Sequence, residues 1–477
     1  MPPKRRGNLD NLARQVCLRC RCQKRKCDKT FPQCSLCKRL KTQCVYETPV
    51  LTASSSTPPA PAEQPLAATT EQRRTTMPKE NDFVLAIVEC LSGSGTIEDV
   101  AGLFFRSVHP WFPIIDFDTL CRRLPGQWEH CSPEFSLLLA GMKLLTTIPG
   151  RQCQQNNAIW AELKELHTLC KAFMGMIDAQ GCVSLDVIQA RTFLLLFEVG
   201  HGLYPAGYIT MGTLSRSSDA LGLYSEAGIA ALRLQTEEEF LEESHQTRVG
   251  ILILFRYVAL ENVHQIAANG ESTIPFVSSE IIARPNIGNP KPDGFAHLYE
   301  ASGMLAKVLK LITERNPQIQ FPTKELEAGS RTIIPPNNIV EAEANLGEFK
   351  LYCTGWMVCN SALLLFGTDT KNIMSDVEND LDSQLEELAD FFRPTVEGRP
   401  IEQLMLPPFV TYLLFKAASI FTERIKKGDN STASMDKLRI FRDMLRMVND
   451  RWRVAGRYLA MLDEDTTLRM AKALEYS

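Results

Sequence analysis

The sequence predicts a mainly α-helical protein in three parts: a small cysteine-rich N-terminal module, a flexible linker and a large all-helical domain. Three observations lead to this prediction. Six cysteines near the N-terminus are regularly spaced. Residues 48–82 are rich in Pro, Ser, Thr and Ala and almost devoid of large apolar side chains. From about residue 83 to the end, apolar residues recur three and four positions apart, as in helices with one buried face.

The six cysteines form an internal repeat. They read C-x2-C-x6-C twice, and a shift of seventeen residues places the first three on the second three: Cys17, Cys20, Cys27, Cys34, Cys37 and Cys44. Zinc prefers four tetrahedral ligands and binds thiolates well. Two four-coordinate ions need more ligand positions than six sulfurs offer, unless two of the sulfurs bridge both metals. The spacing therefore predicts two zinc ions in a binuclear cluster.

Two other interpretations of the cysteines stay open. A disulfide framework would need an oxidising compartment, but the chain begins MPPKRRGNLD, without the apolar region of a secretory signal. A single zinc held by the two C-x2-C pairs would leave Cys27 and Cys44, at matched spacings, without a role. Cys22 has no partner in the repeat, and we interpret it as a free thiol.

The segment CLRCRCQKRKCDKTFPQCSLCKRLKTQC resembles the DNA-binding domain of fungal zinc binuclear cluster transcription factors. All six cysteines match the spacing of that family, and Pro32 falls in the loop where the family usually has a proline. The resemblance implies a DNA-binding domain over residues 14–47, with Cys17 and Cys34 as the bridging ligands. It also implies a nuclear, sequence-specific regulator of RNA polymerase II transcription, acting on a pathway or on secondary-metabolite genes.

Basic residues follow both C-x2-C pairs. The stretch RCQKRK would lie on a zinc-anchored helix that can enter the major groove, where Lys and Arg donate to N7 and O6 of guanine. By resemblance, Lys24 reads a CGG-type triplet and Arg25 and Lys26 contact phosphate, while Gln23 stands where the family more often has Lys or Arg. The N-terminus of a second helix is a further candidate phosphate contact. The predicted DNA-binding residues are Arg21, Gln23, Lys24, Arg25, Lys26, Lys38, Arg39 and Lys41.

A basic arm, residues 1–13, precedes the module. Lys4, Arg5 and Arg6 are interpreted as a nuclear import signal, with contact to phosphate as the alternative. Residues 1–44 hold thirteen Lys and Arg against two Asp, a net charge of +11 before metal, while the remaining residues carry −15. This charge distribution indicates that the basic residues 1–44, and not the acidic remainder of the chain, bind a polyanion, double-stranded DNA.

The linker, residues 48–82, cannot bury a core. Residues 83–91 have at most two turns of apolar periodicity, short of the heptads of a coiled coil, so homodimer or heterodimer formation stays open. One module reads few base pairs, and we expect two half-sites or a partner protein. Apolar runs are too short to span a membrane, so we expect a soluble protein with no membrane partner.

Residues 83–477 are predicted to form the helical domain. The best periodicity falls at residues 135–147, 159–177, 185–198, 206–221, 339–366, 406–425 and 438–462. The pieces LFFRSVHPWFPIID, GYITMGTLSRSSDALGLY and HQTRVGILILFRYVALE resemble the fungal transcription factor regulatory domain. That resemblance implies a domain that receives signals or binds partners, namely the transcription machinery or co-regulators.

Several features of this domain have an ordinary structural interpretation. Residues 369–390 carry eight acidic groups between apolar residues, which favours an amphipathic helix over an acidic activation segment. His109 and His201 are predicted to be hydrogen-bonded structural residues, and the eight cysteines from Cys90 to Cys359 buried thiols. We find no P-loop, HExxH, GxSxG or dinucleotide motif, and predict no enzyme. The rival functions are an interaction scaffold and an enzyme fused to a DNA-binding module.

Overall fold

The computed structural model describes parts of the cysteine-rich module and most of the helical region. The described residues are 16–17, 20, 25–30, 32–41, 44, 80–93, 95–150, 156–225, 228–229, 238–269, 294–313, 353–370, 375–429 and 431–475. Among them helix predominates and no β-strand is formed, which confirms the predicted fold class. The predicted arm, nearly all of the predicted linker, and Cys22 lie outside the described residues.

Fifteen α-helices lie in the described ranges. In chain order they are α1 Ser35–Arg39, α2 Glu80–Ser92, α3 Ile97–Ser107, α4 Phe117–Arg123, α5 Pro133–Thr146, α6 Asn156–Ala179, α7 Leu185–Gly200, α8 Ala206–Leu221, α9 Glu238–Asn269, α10 Gly294–Thr313, α11 Thr354–Thr370, α12 Ser375–Val396, α13 Val410–Lys426, α14 Thr432–Val448 and α15 Val454–Glu475. Two short 3-10 helices, Trp128–His130 and Gln403–Met405, join them. No described helix is long and apolar enough to cross a membrane.

Helices α2 to α15 are called the helical body below, and helix α7 lies at its centre. All sixteen of its residues are buried, so it carries apolar residues on every face rather than along one stripe. Its N-terminus is capped by Ser184, whose hydroxyl accepts a hydrogen bond from the backbone N–H of Val187 at 3.4 Å. Helices α5, α8 and α9 pack against it. The core of the body is therefore built around α7.

In the second half of the helical body, helices α9 to α15, each helix packs against at least one of the others. Helix α10 packs between α9 and α11, and α13 contacts α11, α14 and α15. Helix α12 packs on α14 and α11. The buried apolar side chains of both halves belong to one hydrophobic cluster, which extends from Ile87 to Leu462. The described helices from α2 to α15 thus share a single core.

Most of the predicted helices are confirmed. Helices α5 to α8 match four predicted stretches to within three residues at each end. Helix α13 begins four residues after the predicted start at 406, because a 3-10 helix and two prolines precede it. Of the stretch 339–366, the part from 353 onward is described, and there it forms α11. Helix α2 begins at Glu80, inside the segment predicted as linker.

The prediction of one helix over residues 438–462 is wrong, because α14 and α15 are separate. Between them, Trp452 donates its indole N–H to the carbonyl of Leu406 at 2.8 Å. Arg451 donates from Nη2 to the carbonyl of Leu145 at 2.6 Å. These long-range hydrogen bonds hold the intervening residues out of the helix, and local periodicity carries no sign of them.

From Ser375 onward, the acidic segment forms the amphipathic helix α12. Its side chains Leu381, Leu385 and Leu388 are buried in the core. At the edge of this apolar face, Asp382 forms an ion pair with Arg424 of α13. The structure therefore confirms the amphipathic interpretation, with part of the acidic face paired to a neighbouring helix.

The two singled-out histidines are structural, as predicted. Nε2 of His109 lies 3.0 Å from the carbonyl oxygen of Ile115. Nδ1 of His201 accepts a hydrogen bond from the backbone N–H of Arg453 at 3.4 Å. Both imidazoles thus hold backbone segments together inside the body.

The prediction that the remaining cysteines are buried thiols holds in part. Cys131, Cys170 and Cys359 are buried. Cys90 and Cys121 are exposed, because they lie on the solvent-facing sides of α2 and α4. Cys182 is disulfide-bonded rather than free.

Candidate metal centre and nucleic-acid interface

Helix α1 places two of the cysteines. Cys34 is its N-cap, and the Cys34 sulfur accepts a hydrogen bond from the backbone N–H of Cys37 at 3.4 Å. The backbone N–H of Cys34 in turn donates to the sulfur of Cys44 at 3.3 Å. A C-x2-C pair at the start of a helix therefore turns both sulfurs toward the same point.

Asp28 occupies the N-terminus of α1. Its carboxylate accepts from the backbone N–H of Ser35 at 3.0 Å, and the hydrogen bonds from Ser35 lower the pKa of Asp28 to about 2. Asp28 would therefore compete with a phosphate for the N–H groups at this end of α1, and the phosphate contact of this helix N-terminus stays a prediction. No sequence pattern marks this contact, because Asp28 lies seven residues before Ser35 and outside any capping motif.

The sulfur atoms of the module converge. Cys17 Sγ lies 3.8 Å from the sulfurs of Cys34 and Cys37 and 3.9 Å from that of Cys27. Cys20 Sγ lies 3.7 Å from Cys34 Sγ. Sulfurs bound tetrahedrally to one zinc at about 2.3 Å are about 3.8 Å apart. The observed spacings therefore fit zinc coordination.

The sulfurs form two groups of four, and within each group all lie within 4.8 Å of one another. One group consists of Cys17, Cys20, Cys27 and Cys34, and the other of Cys17, Cys34, Cys37 and Cys44. Cys17 and Cys34 belong to both groups. Six sulfurs arranged in this way offer four ligands to each of two zinc ions, as the ligand count of the sequence requires.

Burial sets the acidity of these thiols. It raises the pKa of Cys20 to about 12, and it also raises the pKa of Cys17 and of Cys37. For Cys34, burial acts in the same direction, but hydrogen bonds from Cys37 and neighbouring thiols outweigh it and lower its pKa. Zinc binds thiolate rather than thiol, so bound zinc would supply the positive charge that ionises the buried sulfurs.

The predicted DNA-binding residues are described in part. Lys26, Lys38, Arg39 and Lys41 are exposed, and Arg25 is half-buried. The backbone N–H of Arg25 donates to the carbonyl of Cys20 at 2.9 Å, which ties the end of the basic stretch to the sulfur cluster. Arg21, Gln23 and Lys24 lie outside the described residues. The described part of the module thus presents cations on its surface around a core of sulfur.

Comparison with known proteins agrees with this geometry. Residues 15–52 match the fungal Zn(2)-Cys(6) binuclear cluster domain. The N-terminal module is therefore a Zn(2)-Cys(6) domain. This domain binds two zinc ions, the number that the cysteine spacing predicts and the two sulfur groups fit.

One curated relative resembles a longer part of the chain. The chain is 28% identical over 148 residues to Transcription factor BOA15 of Botryotinia fuckeliana (strain B05.10). The matched stretch covers 31% of this chain and 79% of the relative. No solved structure matches the chain. The Zn(2)-Cys(6) domain and this relative support a DNA-binding transcription factor rather than an enzyme. The resemblance of residues 83–477 to a regulatory domain stays a prediction.

Proposed function

We propose that this chain is a nuclear regulator of RNA polymerase II transcription that reads a GC-rich, CGG-like half-site through its Zn(2)-Cys(6) domain. The observation that carries the proposal is the pair of four-sulfur groups sharing Cys17 and Cys34. A small module without an apolar core of its own gains its folding energy from such metal sites. All ligand positions are filled by sulfur, so the zinc is structural rather than catalytic.

In this proposal Cys17 and Cys34 bridge the two zinc ions. Cys20 and Cys27 complete one site, and Cys37 and Cys44 complete the other. The proposal is supported by the two sulfurs that both groups share and by Sγ distances of 3.7 to 3.9 Å. Cys17 and Cys34 are also fully buried, as bridging ligands between two metals would be.

The DNA interface is proposed to divide into one base-reading residue and several phosphate contacts. Lys24 would donate to the guanine edge in the major groove, with Arg21 and Gln23 beside it. Arg25 and Lys26 would contact phosphate, and so would the cations of α1 and the following turn, Lys38, Arg39 and Lys41. The support for these contacts is that Lys26, Lys38, Arg39 and Lys41 are exposed on a sulfur-anchored module.

The proposal also covers the domain organisation and the cellular setting. Residues 14–47 would form the DNA-binding domain and residues 48–82 the linker. Residues 83–477 would form a regulatory domain that receives signals or binds the transcription machinery or co-regulators. The arm, residues 1–13, would carry the nuclear import signal Lys4, Arg5 and Arg6. A second half-site, read by a homodimer or heterodimer partner, would supply the specificity that one module lacks. The regulated genes would belong to one pathway or to secondary metabolism.

The test is selection of binding sites from random DNA by the full-length, zinc-loaded protein at two salt concentrations. We expect an enriched CGG-like triplet, and an affinity that falls steeply with salt because bound phosphates release counterions. Lys24→Ala should relax the triplet preference, whereas Lys38→Ala should weaken binding to all sequences alike. Lys427→Ala, an exposed lysine of the helical body, is the control.

Other outcomes would identify a different function. If no sequence is enriched while both zinc ions are bound, the module is a protein-interaction scaffold. A preference that survives Lys24→Ala would remove Lys24 from base reading and leave the DNA-binding assignment intact.

A further inference from the structure

The N-terminus of α15 collects positive charge that no ion pair among the described residues neutralises. Three arginines lie at or just before its first turn: Arg451, Arg453 and Arg457. The first turn contains no acidic residue. The N-terminus of a helix is its positive end, where acidic groups are stabilising and cations are not. This distribution of charge is the reverse of what helix electrostatics favours.

Arg453 is the most unusual of the three. It is 9% exposed, and its Nε, Nη1 and Nη2 have no hydrogen-bond partner among the residues that the structure describes. Its guanidinium lies 5.8 Å from the ring centroid of Trp160, and its backbone N–H donates to His201. A buried cation without hydrogen bonds is costly unless an anion accompanies it.

Arg451 adds a second buried cation beside it. It is 1% exposed, and although Nη2 donates to the carbonyls of Leu145 and Leu404, its Nε has no partner in the described part of the chain. Among the described residues, neither Arg451 nor Arg453 forms an ion pair with a carboxylate; the acidic group that acts on Arg453 is the neighbouring Asp450. Glu198, a buried carboxylate of α7, is already held by His167 at 2.8 Å and Lys171 at 2.9 Å.

We propose that Arg453, supported by Arg451 and by the N-terminus of α15, binds a small oxyanion, a carboxylate or phosphate group of a soluble ligand. A guanidinium offers its N–H groups as a planar fork that matches both groups. Trp160 and His201, whose rings lie 4.9 Å apart, would form the wall beside the anion. The site lies in the helical body, so its failure would leave the DNA-binding proposal untouched.

The contacts of the site suggest what the anion would do there. Residues 449–453 join α14 to α15, and through Trp452 and Arg451 they contact segments around residues 406 and 145. An anion on Arg453 would neutralise the charge at this junction. It would therefore stabilise the packing of α15 against the rest of the body.

The experiment is thermal unfolding of the full-length, zinc-loaded protein, followed by circular dichroism at 222 nm. Sodium phosphate and sodium malonate are titrated separately at constant ionic strength. We expect at least one of them to raise the melting temperature saturably, by about 3 °C at a hundredfold excess over its dissociation constant. A response to phosphate alone identifies a phosphoryl ligand, and a response to malonate alone identifies a carboxylate.

Two variants decide the assignment. Arg453→Gln should abolish the rise, and without added anion it should be about as stable as the wild type, because it removes an unpaired buried charge. Arg439→Gln, at an exposed arginine of α14, should keep the rise.

Three results would overturn the proposal. One is the absence of a rise with either anion. Another is an equal rise in Arg453→Gln, which would mean an adventitious ion only. The third is strong destabilisation of Arg453→Gln in anion-free buffer, which would mean that the chain itself already pairs the guanidinium.

Discussion

The sulfurs of Cys17 and Cys34 lie 3.8 Å apart, and both belong to both four-sulfur groups of the module. They stand at the same position in the two halves of the repeat, seventeen residues apart. Each half of the repeat thus contributes one shared sulfur and two unshared ones. Loss of a shared sulfur should damage both metal sites, while loss of an unshared one should damage a single site.

Zinc content therefore distinguishes the two kinds of cysteine. In Cys34→Ala we expect bound zinc to fall from two ions toward none, whereas Cys37→Ala should retain about one. Metal analysis of the purified full-length variants measures this directly. Cys121→Ala, which removes an exposed free thiol far from the repeat in sequence, is the control and should keep both ions. Equal losses in Cys34→Ala and Cys37→Ala would contradict the bridging assignment.

Gly200, the last residue of α7, packs against an indole. A Cβ at this position would lie 2.3 Å from Cε3 of Trp452, closer than any real contact. Gly200→Ala should therefore lower the free energy of unfolding by about 1–3 kcal/mol, since a buried indole has no room to move away. The shift of the urea midpoint measures it. Gly212→Ala in α8, where nothing lies within 4 Å, should be neutral or slightly stabilising.

If Gly200→Ala unfolds at the same urea concentration as the wild type, Trp452 is not held in place as the structure shows. In that case the junction between α14 and α15 is looser than its hydrogen bonds imply.

His201 should make the stability of the body depend on pH. Burial, followed by the nearby Arg451 and Arg453, lowers the pKa of His201 well below its usual value of 6.5. Below pH 6.5 the unfolded chain binds a proton there that the folded chain does not. Folding is therefore destabilised as pH falls, by up to about 1.4 kcal/mol per pH unit for this group.

The check is the melting temperature between pH 7.5 and 5.5 for the wild type and for His201→Gln. The wild type should lose stability faster over this range, and the exposed His130→Gln should behave as the wild type does. Parallel curves for the wild type and His201→Gln would mean that His201 is protonated in the folded protein.

Helix α12 offers a test between packing and activation. Leu385 is fully buried, so Leu385→Ala should lower the free energy of unfolding by about 2–5 kcal/mol. Glu387→Ala, at an exposed position of the same helix, should change it little. Chemical denaturation measures both. If Leu385→Ala leaves stability unchanged but abolishes activation of a reporter gene, the segment acts as an activation surface.

Much of this protein is predictable because the signals are local. The spacing of the six cysteines predicts two zinc ions, since two four-coordinate ions can be held by six sulfurs only if two of the sulfurs are shared. Apolar periodicity determines helices α5 to α8, because the side chains that share one face of a helix are neighbours in sequence. In both cases the residues that decide the structure lie within a short stretch of chain.

Tertiary structure decided the rest, because the deciding contacts join residues distant in sequence. The break between α14 and α15 depends on Arg451, which donates to a carbonyl 306 residues away. Asp28 occupies the N-terminus of α1 only because the zinc module folds back on itself. The unpaired guanidinium of Arg453 becomes visible only when α6, α7 and α15 are packed together. The sequence by itself determines which residues are charged, and the packed fold determines which charges remain without a partner.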